Sequence, residues 1–211
     1  SKSKKDLTGS VSMVKSETIE KLKPVDVSQA LQGRASGVSV TSSSGSPGSG
    51  FRILIRGVST NGNNAPLVMI DGYKGSLNSL NPDDIETLTV LKDAQAAIYG
   101  IDGANGVILV TTKKGSKNSA PKVSYNFYSG TQETSKELSL LNDMEYAAIL
   151  NESYAANGES LLFPNLNNLG SNTDWQDNLF DTANITNHNI SLSGGTDNVT
   201  YYLGASHLDQ E

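Results

Sequence analysis

The 211-residue sequence contains no cysteine. Disulfide frameworks, Cys-ligated zinc, iron–sulfur clusters and cysteine nucleophiles are thereby excluded. The compartment stays open, because a larger envelope protein can fold without disulfides. Histidine is nearly missing: His188 and His207 are the only two, too few for a multi-histidine metal site, and no cofactor is expected. No apolar run approaches the ~20 residues of a membrane-spanning helix. The opening residues, Ser1-Lys2-Ser3-Lys4-Lys5, lack the apolar stretch of a signal peptide. The first residue is not Met and the last ones read as mid-strand, so the sequence is expected to be a piece of a longer protein. Basic residues are missing from the last third. Residues 1–141 hold all 16 Lys and Arg with 12 acids (net +4), whereas residues 142–211 hold 10 acids and no Lys or Arg (net -10). An acidic segment of that kind repels phosphate backbones, which argues against nucleic acid as a partner.

Apolar residues make up 36%, below the roughly 45–50% of an average globular chain, a figure that also counts Gly. Enough remains for a core. Serine, asparagine and glycine fill the difference, with 28, 20 and 20 copies, a composition that favours turns and strands. Along the first 24 polar residues, only Ser10 to Val14 alternates as an edge strand. Asp26 and Gln29 stand in a capping-box relation before a short helix that Gly33 ends. Strands are expected at 37–41, 51–57, 67–70, 86–91 and 106–112. In the third of these, Leu67 to Ile70, the run is continuously apolar and fits a strand buried on both faces, and 106–112 is expected to be a second buried strand. Pro82 starts a single helical turn. Asp93 is expected to cap a helix over Ala94–Tyr99, stopped by Gly100. The stretch 116–121 reads as a linker. Beyond it, 122–128 alternates as a strand. Asn142 to Ala156 is a helix with a capping box to Glu145, a short helix follows Thr173, and 187–206 is a hairpin turning at Gly194 to Asn198. The hairpin arms, about 8–9 residues, come near the ~9–11 of a transmembrane β-strand, and an ordinary soluble hairpin fits the same pattern equally well.

The sequence holds no enzyme signature. The Gly-rich run 45–50 lacks a following Gly-Lys-Ser/Thr and precedes a strand, so it is not a phosphate loop. No serine sits in a Gly-x-Ser-x-Gly elbow. Asp71, Asp83, Asp84, Glu86 and Asp93 form a carboxylate-rich stretch, but strand ends and helix starts explain each of them. Trp175 with Tyr125, Tyr128, Tyr201 and Tyr202 reads as core packing, an aromatic girdle or a sugar-stacking platform. Arg56, beside Gly57 at a strand end, is expected to pair with a carboxylate; Asp71, Asp93 or a residue beyond this sequence are the candidates.

Several runs resemble the plug domain of TonB-dependent outer-membrane receptors. They are Val27 to Val38 (VSQALQGRASGV), Ile55-Arg56-Gly57, Pro66 to Gly72 (PLVMIDG), Leu80 to Glu86 (LNPDDIE), and Val90 to Gly100 (VLKDAQAAIYG) continued by Gly103 to Gly115 (GANGVILVTTKKG). Their order and spacing are similar to the SusC/RagA branch, importers of glycans and peptides. Thr173 to Asp177 (TDWQD) and Asn187 to Gly195 (NHNISLSGG) resemble the start of that family's barrel. The resemblance implies an α+β fold: a small mixed β-sheet with short helices, followed by barrel-derived strands and short helices. It implies a flexible arm at 1–9, the plug at 10–115, the linker at 116–121, and the beginning of a transmembrane barrel at 122–211. As structural and gating residues it points to Arg56, Gly57, Asp71, Gly72, Asp93, Tyr99, Gly100 and Gly106. Implied partners are the chain's own barrel, a SusD-like surface lipoprotein, a glycan or peptide ligand, and the TonB complex. The TonB-contacting segment of the family lies just upstream of a stretch that here is Lys4 to Gly9 (KKDLTG). The implied location is the outer membrane for the parent, with these residues alone soluble.

Two other readings compete. A secreted carbohydrate-binding β-protein would have an all-β core and coplanar, exposed Trp175 and tyrosines. An envelope hydrolase would need a nucleophile paired with His188 or His207. Short helices packed on a small mixed sheet within 10–115 distinguish the plug from both.

Overall fold

In the computed structural model of the chain, residues 11–42, 44, 48–134, 137–170 and 173–210 are described. The arm expected at 1–9, and residues 45–47 of the Gly-rich run, lie outside them. The chain divides into two compact units, Ser1–Tyr128 with Asn187–Leu208, and Ser129–Thr186 with Asp209–Glu211.

The first unit opens with strand β1 (Val11–Lys15) and runs directly into helix α1 (Ser16–Leu22). This helix was not expected. It has no side-chain cap, and Ile19 is its one buried residue. With so little apolar periodicity to read, packing of Ile19 into the core creates it. A 3₁₀ turn follows at Val27–Leu31, where Asp26 accepts from Ser28 N at 2.7 Å and Gln29 completes the expected capping box. Strands β2 (Val38–Ser42) and β3 (Phe51–Ile55) form an antiparallel pair in which Val40 faces Ile53.

Then come β4 (Leu67–Ile70), β5 (Tyr73–Lys74), β6 (Ile85–Leu91) and β7 (Val107–Thr112). With β1 they build a mixed sheet in the order β1-β6-β7-β4-β5, antiparallel except for the parallel β4–β7 pair. Strand β7 is the sheet's centre, and Val107 and Ile108, on opposite faces, are both fully buried. Of the two strands expected to be buried, β7 is enclosed on both faces and β4 is not. Every residue of β4 is only half-buried, because its outer neighbour is the two-residue β5.

A bulge between Ile85 and Thr87 shifts the register of β6. Ile85 thereby shares the core with Leu88 and Val90 although its spacing is odd. Leu88 and Ile108 are completely enclosed, and side chains of this size contribute about 1.5–3 kcal/mol each on burial.

Strand β8 (Ser119–Gln132) begins inside the expected linker. Residues 116–121 are thus not a free connector, since the chain has already joined a second sheet. Helix α2 (Asp143–Ala156) carries the expected box, with Glu145 N donating to Asn142 Oδ1 at 2.8 Å. Helix α3 (Trp175–Leu179) is capped by Asp174. Strands β9 (Ala183–Gly195) and β10 (Thr200–Gln210) make the expected hairpin, closed by Thr196 N donating to Val199 O at 2.8 Å. Its arms, 13 and 11 residues, are longer than expected and reach the span of a membrane strand. The second sheet has the order β10-β9-β8.

Candidate functional site

The motif residues share a backbone property. Arg56, Asp71 and Asp93 have φ of 61°, 47° and 53°, and Gly57, Gly72, Gly100 and Gly106 have φ of 85°, 95°, 67° and 89°. Of the eight residues singled out by sequence, only Tyr99 is outside the left-handed region. A non-glycine there costs of order 1–2 kcal/mol, so these three residues, which share the unit with Lys23 and Asn118 of the same conformation, are held by specific partners.

Asp71 and Gly72 form the two-residue loop between the paired Ile70 and Tyr73. Positive φ at both positions is what a type I′ hairpin turn requires. The Asp71 carboxylate accepts from Thr112 N at 3.2 Å and from Thr112 Oγ1 at 2.5 Å, and its own N–H donates to Val110 O at 2.9 Å. The hairpin is thus fastened to the end of β7. Arg56 ends β3, where its N–H donates to Gly37 O at 2.7 Å. Its guanidinium meets Asp93 at 2.5 Å, with both side chains about half exposed. Of the two candidate partners within the sequence, Asp93 is the one that meets Arg56.

Asp93 does not cap a helix as expected. The cap position is Lys92 and no side chain bonds there. The left-handed φ of Asp93 departs from the extended geometry a cap needs and leaves its carboxylate on Arg56. Gly100 interrupts the 3₁₀ segment Asp93–Gly103 with φ 67° and ψ -149°, a conformation essentially reserved for glycine. Gly106 has a second reason to be glycine. A Cβ there would lie 2.7 Å from Ile55 Cδ1 and 3.2 Å from Ile55 Cβ.

Sequence reasoning missed two polar residues. Lys92 is 2% exposed. Its ammonium donates to the Ser36 carbonyl and lies 3.3 Å from Ser36 Oγ and 3.4 Å from Ser12 Oγ. It thus ties β1, the loop before β2 and the end of β6 to one charge. A lysine at the end of a strand carries no mark of such burial. Asn64, also buried, accepts from Ser59 N at 2.8 Å and Thr60 N at 3.0 Å, and donates to Thr60 O and Gly62 O at 2.7 and 2.9 Å. It is the internal scaffold of the loop between β3 and β4. Beside that loop a cleft of about 600 Å³ opens between β3, β4 and residues 75–78. Phe51, Pro66 and Leu77 give it an apolar lining, and Arg52, Asn63 and Asn78 a polar one. Asp83, buried at the foot of β6, has its carboxyl pushed above the usual range by burial, against the pull of Lys23 and Lys113.

The second sheet inverts the polarity of a soluble one. On β9, Asn187 and Asn189 are buried while Ile190 is exposed. Tyr125, Phe127 and His188 lie together on the outer side. The Tyr125 hydroxyl is 2.8 Å from His188 Nδ1, and the Phe127 ring centroid 4.8 Å from that of His188. Val123, Tyr125, Phe127 and Leu203 are each more than half exposed. Polar residues inside and aromatic or aliphatic ones outside is the pattern of a transmembrane barrel wall. No described helix is long and apolar enough to cross a membrane. Among the described residues the core is not all-β, as a carbohydrate-binding β-protein would need, since Ile19 of α1 and Val27, Ala30 and Leu31 of the 3₁₀ turn share it with the strands.

Residues 3–107 match the family model of the TonB-dependent Receptor Plug Domain. The chain is 45% identical over 217 residues to TonB-dependent receptor P26 of Formosa agariphila, covering 99% of this chain and 22% of that protein. It is 44% identical over 219 residues to TonB-dependent receptor SusC of Bacteroides thetaiotaomicron, covering 98% and 21%. Among solved structures, the RagAB peptide transporter superimposes with a TM-score of 0.80 at 28% identity, over 97% of this chain and 27% of that one. The chain therefore spans about a fifth of the length of these curated relatives. Left-handed turns that pin a small mixed sheet, a neighbouring sheet with barrel polarity and these matches converge: the chain belongs to the TonB-dependent receptors of the SusC/RagA type, with their plug domain and the first strands of their barrel.

Proposed function

We propose that this chain is the pore-gating part of an outer-membrane importer for large nutrients such as glycans or peptides, residues 10–115 being the plug and 122–211 the start of the surrounding barrel. One observation carries the reading. A unit with its own buried core is continuous with a sheet that buries Asn187 and Asn189 and exposes Tyr125, Phe127 and Ile190. Large barrels leave a lumen that needs filling, and a polar inner wall suits a filler with a polar surface. The motif residues hold the shape of the stopper: Arg56–Asp93 joins β3 to the segment after β6, and Asp71–Thr112 joins the β4–β5 hairpin to β7. No reaction chemistry is assigned to them.

The likeness to the RagAB peptide transporter supports peptides as one cargo class. The glycan class, the SusD-like surface lipoprotein and the energy-supplying TonB complex rest on the resemblance to the SusC branch. The test is single-channel conductance of the full-length parent in planar bilayers. The intact protein is expected to be nearly closed, and deletion of residues 10–115 to open a large, steady conductance. Equal conductance of the two would refute the gating role.

A further inference from the structure

The two central strands of the first sheet share one end. Asp84 immediately precedes β6, Lys113 immediately follows β7, Ile85 pairs with Thr112, and Lys113 N donates to Asp84 O at 2.8 Å. The β9–β10 hairpin meets the sheet there. Tyr202 donates its hydroxyl to Asp84 Oδ1 at 2.7 Å. A Cβ on Gly204 would stand 2.6 Å from that same oxygen. One on Gly115 would stand 2.3 Å from Tyr201 O and 2.4 Å from Gly194 O, and one on Gly195 2.6 Å from Ser116 O. Most of these obstacles are backbone atoms, which cannot swing aside. None of these three glycines has a left-handed φ, so close approach, not turn geometry, is why glycine stands at them.

We infer that these glycines and the Asp84–Tyr202 bond form an anchor that holds the plug to the first barrel hairpin at the shared end of β6 and β7. The geometry also says which part can move. Strand β1 is an edge strand paired only with β6, and its first residue, Val11, lies opposite Leu91, at the end of β6 far from the anchor. Opening of the pore then detaches β1 while the hairpin end stays seated. This second statement rests on the gating role proposed above; the anchor does not.

The chain has no cysteine, so introduced pairs report cleanly. In the 211-residue chain, the D84C/G204C pair is expected to oxidise readily, because the Cβ position at Gly204 lies 3.1 Å from Asp84 Cγ. Adding Gly115→Val should slow that oxidation at least tenfold, while Gly130→Ala, whose added Cβ meets only Ile185 Cγ2 at 3.6 Å, should not. Hydrogen exchange of β6 and β7 amides checks that the plug itself stays folded; if Gly115→Val unfolds it, Gly195→Ala, whose added Cβ meets Ser116 O at 2.6 Å, takes its place, with a smaller slowing expected. Unchanged oxidation in a folded variant overturns the anchor. In the full-length parent, the D84C/G204C disulfide should leave uptake within twofold of the reduced protein. A disulfide across the paired Met13 and Thr89, M13C/T89C, should reduce uptake at least tenfold and reversibly. Uptake blocked by the first disulfide and spared by the second would overturn the assignment of the moving part. A parent whose conductance ignores plug deletion would instead sink the gating role and leave the anchor result standing.

Discussion

Gly106→Ala separates two costs that the structure superimposes at one residue. The φ of 89° imposes backbone strain on any side chain, of order 1–2 kcal/mol. The new Cβ also meets Ile55 Cδ1 at 2.7 Å, and overpacking of this kind costs about 1–3 kcal/mol. The sum is a loss of about 2–5 kcal/mol of unfolding free energy, read by urea titration followed by far-UV circular dichroism. Ile55→Val removes Cδ1 and costs about 0.5–1.5 kcal/mol alone. In the double variant the nearest remaining obstacles are Ile55 Cβ and Cγ2, both at 3.2 Å, so the two changes should couple favourably by about 1–2 kcal/mol. Gly33→Ala is the reference for strain alone, because Gly33 has φ 68° with no atom within 4 Å of the added Cβ. A Gly106→Ala loss no larger than that of Gly33→Ala, or strict additivity with Ile55→Val, would refute the packing argument.

Three further outcomes are expected. A double-mutant cycle on Arg56→Ala and Asp93→Ala should give a coupling below about 1 kcal/mol that shrinks in high salt, because both side chains are about half exposed; urea midpoints at two salt concentrations measure it. Burial raises the Asp83 pKa above its ordinary 3.8. The folded state then binds more protons than the unfolded one, so this group's contribution to stability falls as pH rises from about that value. Asp83→Asn should remove that slope and match or exceed the wild-type urea midpoint at pH 7. Asn64→Ala leaves the Ser59 and Thr60 amides without their acceptor, at a cost of about 1–3 kcal/mol, and should speed hydrogen exchange in residues 59–65 ahead of the rest of the plug.

Local chemistry wrote much of the fold into the sequence. Asp26 with Gln29 and Asn142 with Glu145 are capping boxes within four residues of chain, and both formed. Asp71-Gly72 ended the strand at Ile70 as expected, though the short return strand Tyr73–Lys74 that makes it a hairpin turn was not expected. The alternation in Leu88, Val90 and their neighbours chose a strand with one buried face. These signals are legible because the atoms that satisfy each other are near in sequence.

What depended on distant partners was not legible. Helix α1 exists because Ile19 enters a core assembled by residues up to Val110. Asp93 left its expected cap for Arg56, 37 positions away in the chain. Lys92 was buried because Ser36 and Ser12 brought oxygens to it. The alternation along β9 read equally as a soluble hairpin or a membrane strand. Period two states that a strand has two different faces, and only the packed structure decides which of them turns inward. The sequence alone therefore determined most of the strands and the capping boxes that open two of the helical segments. The tertiary structure decided where the charges pair, which glycines make room for a second backbone, and that asparagine rather than tyrosine faces the interior.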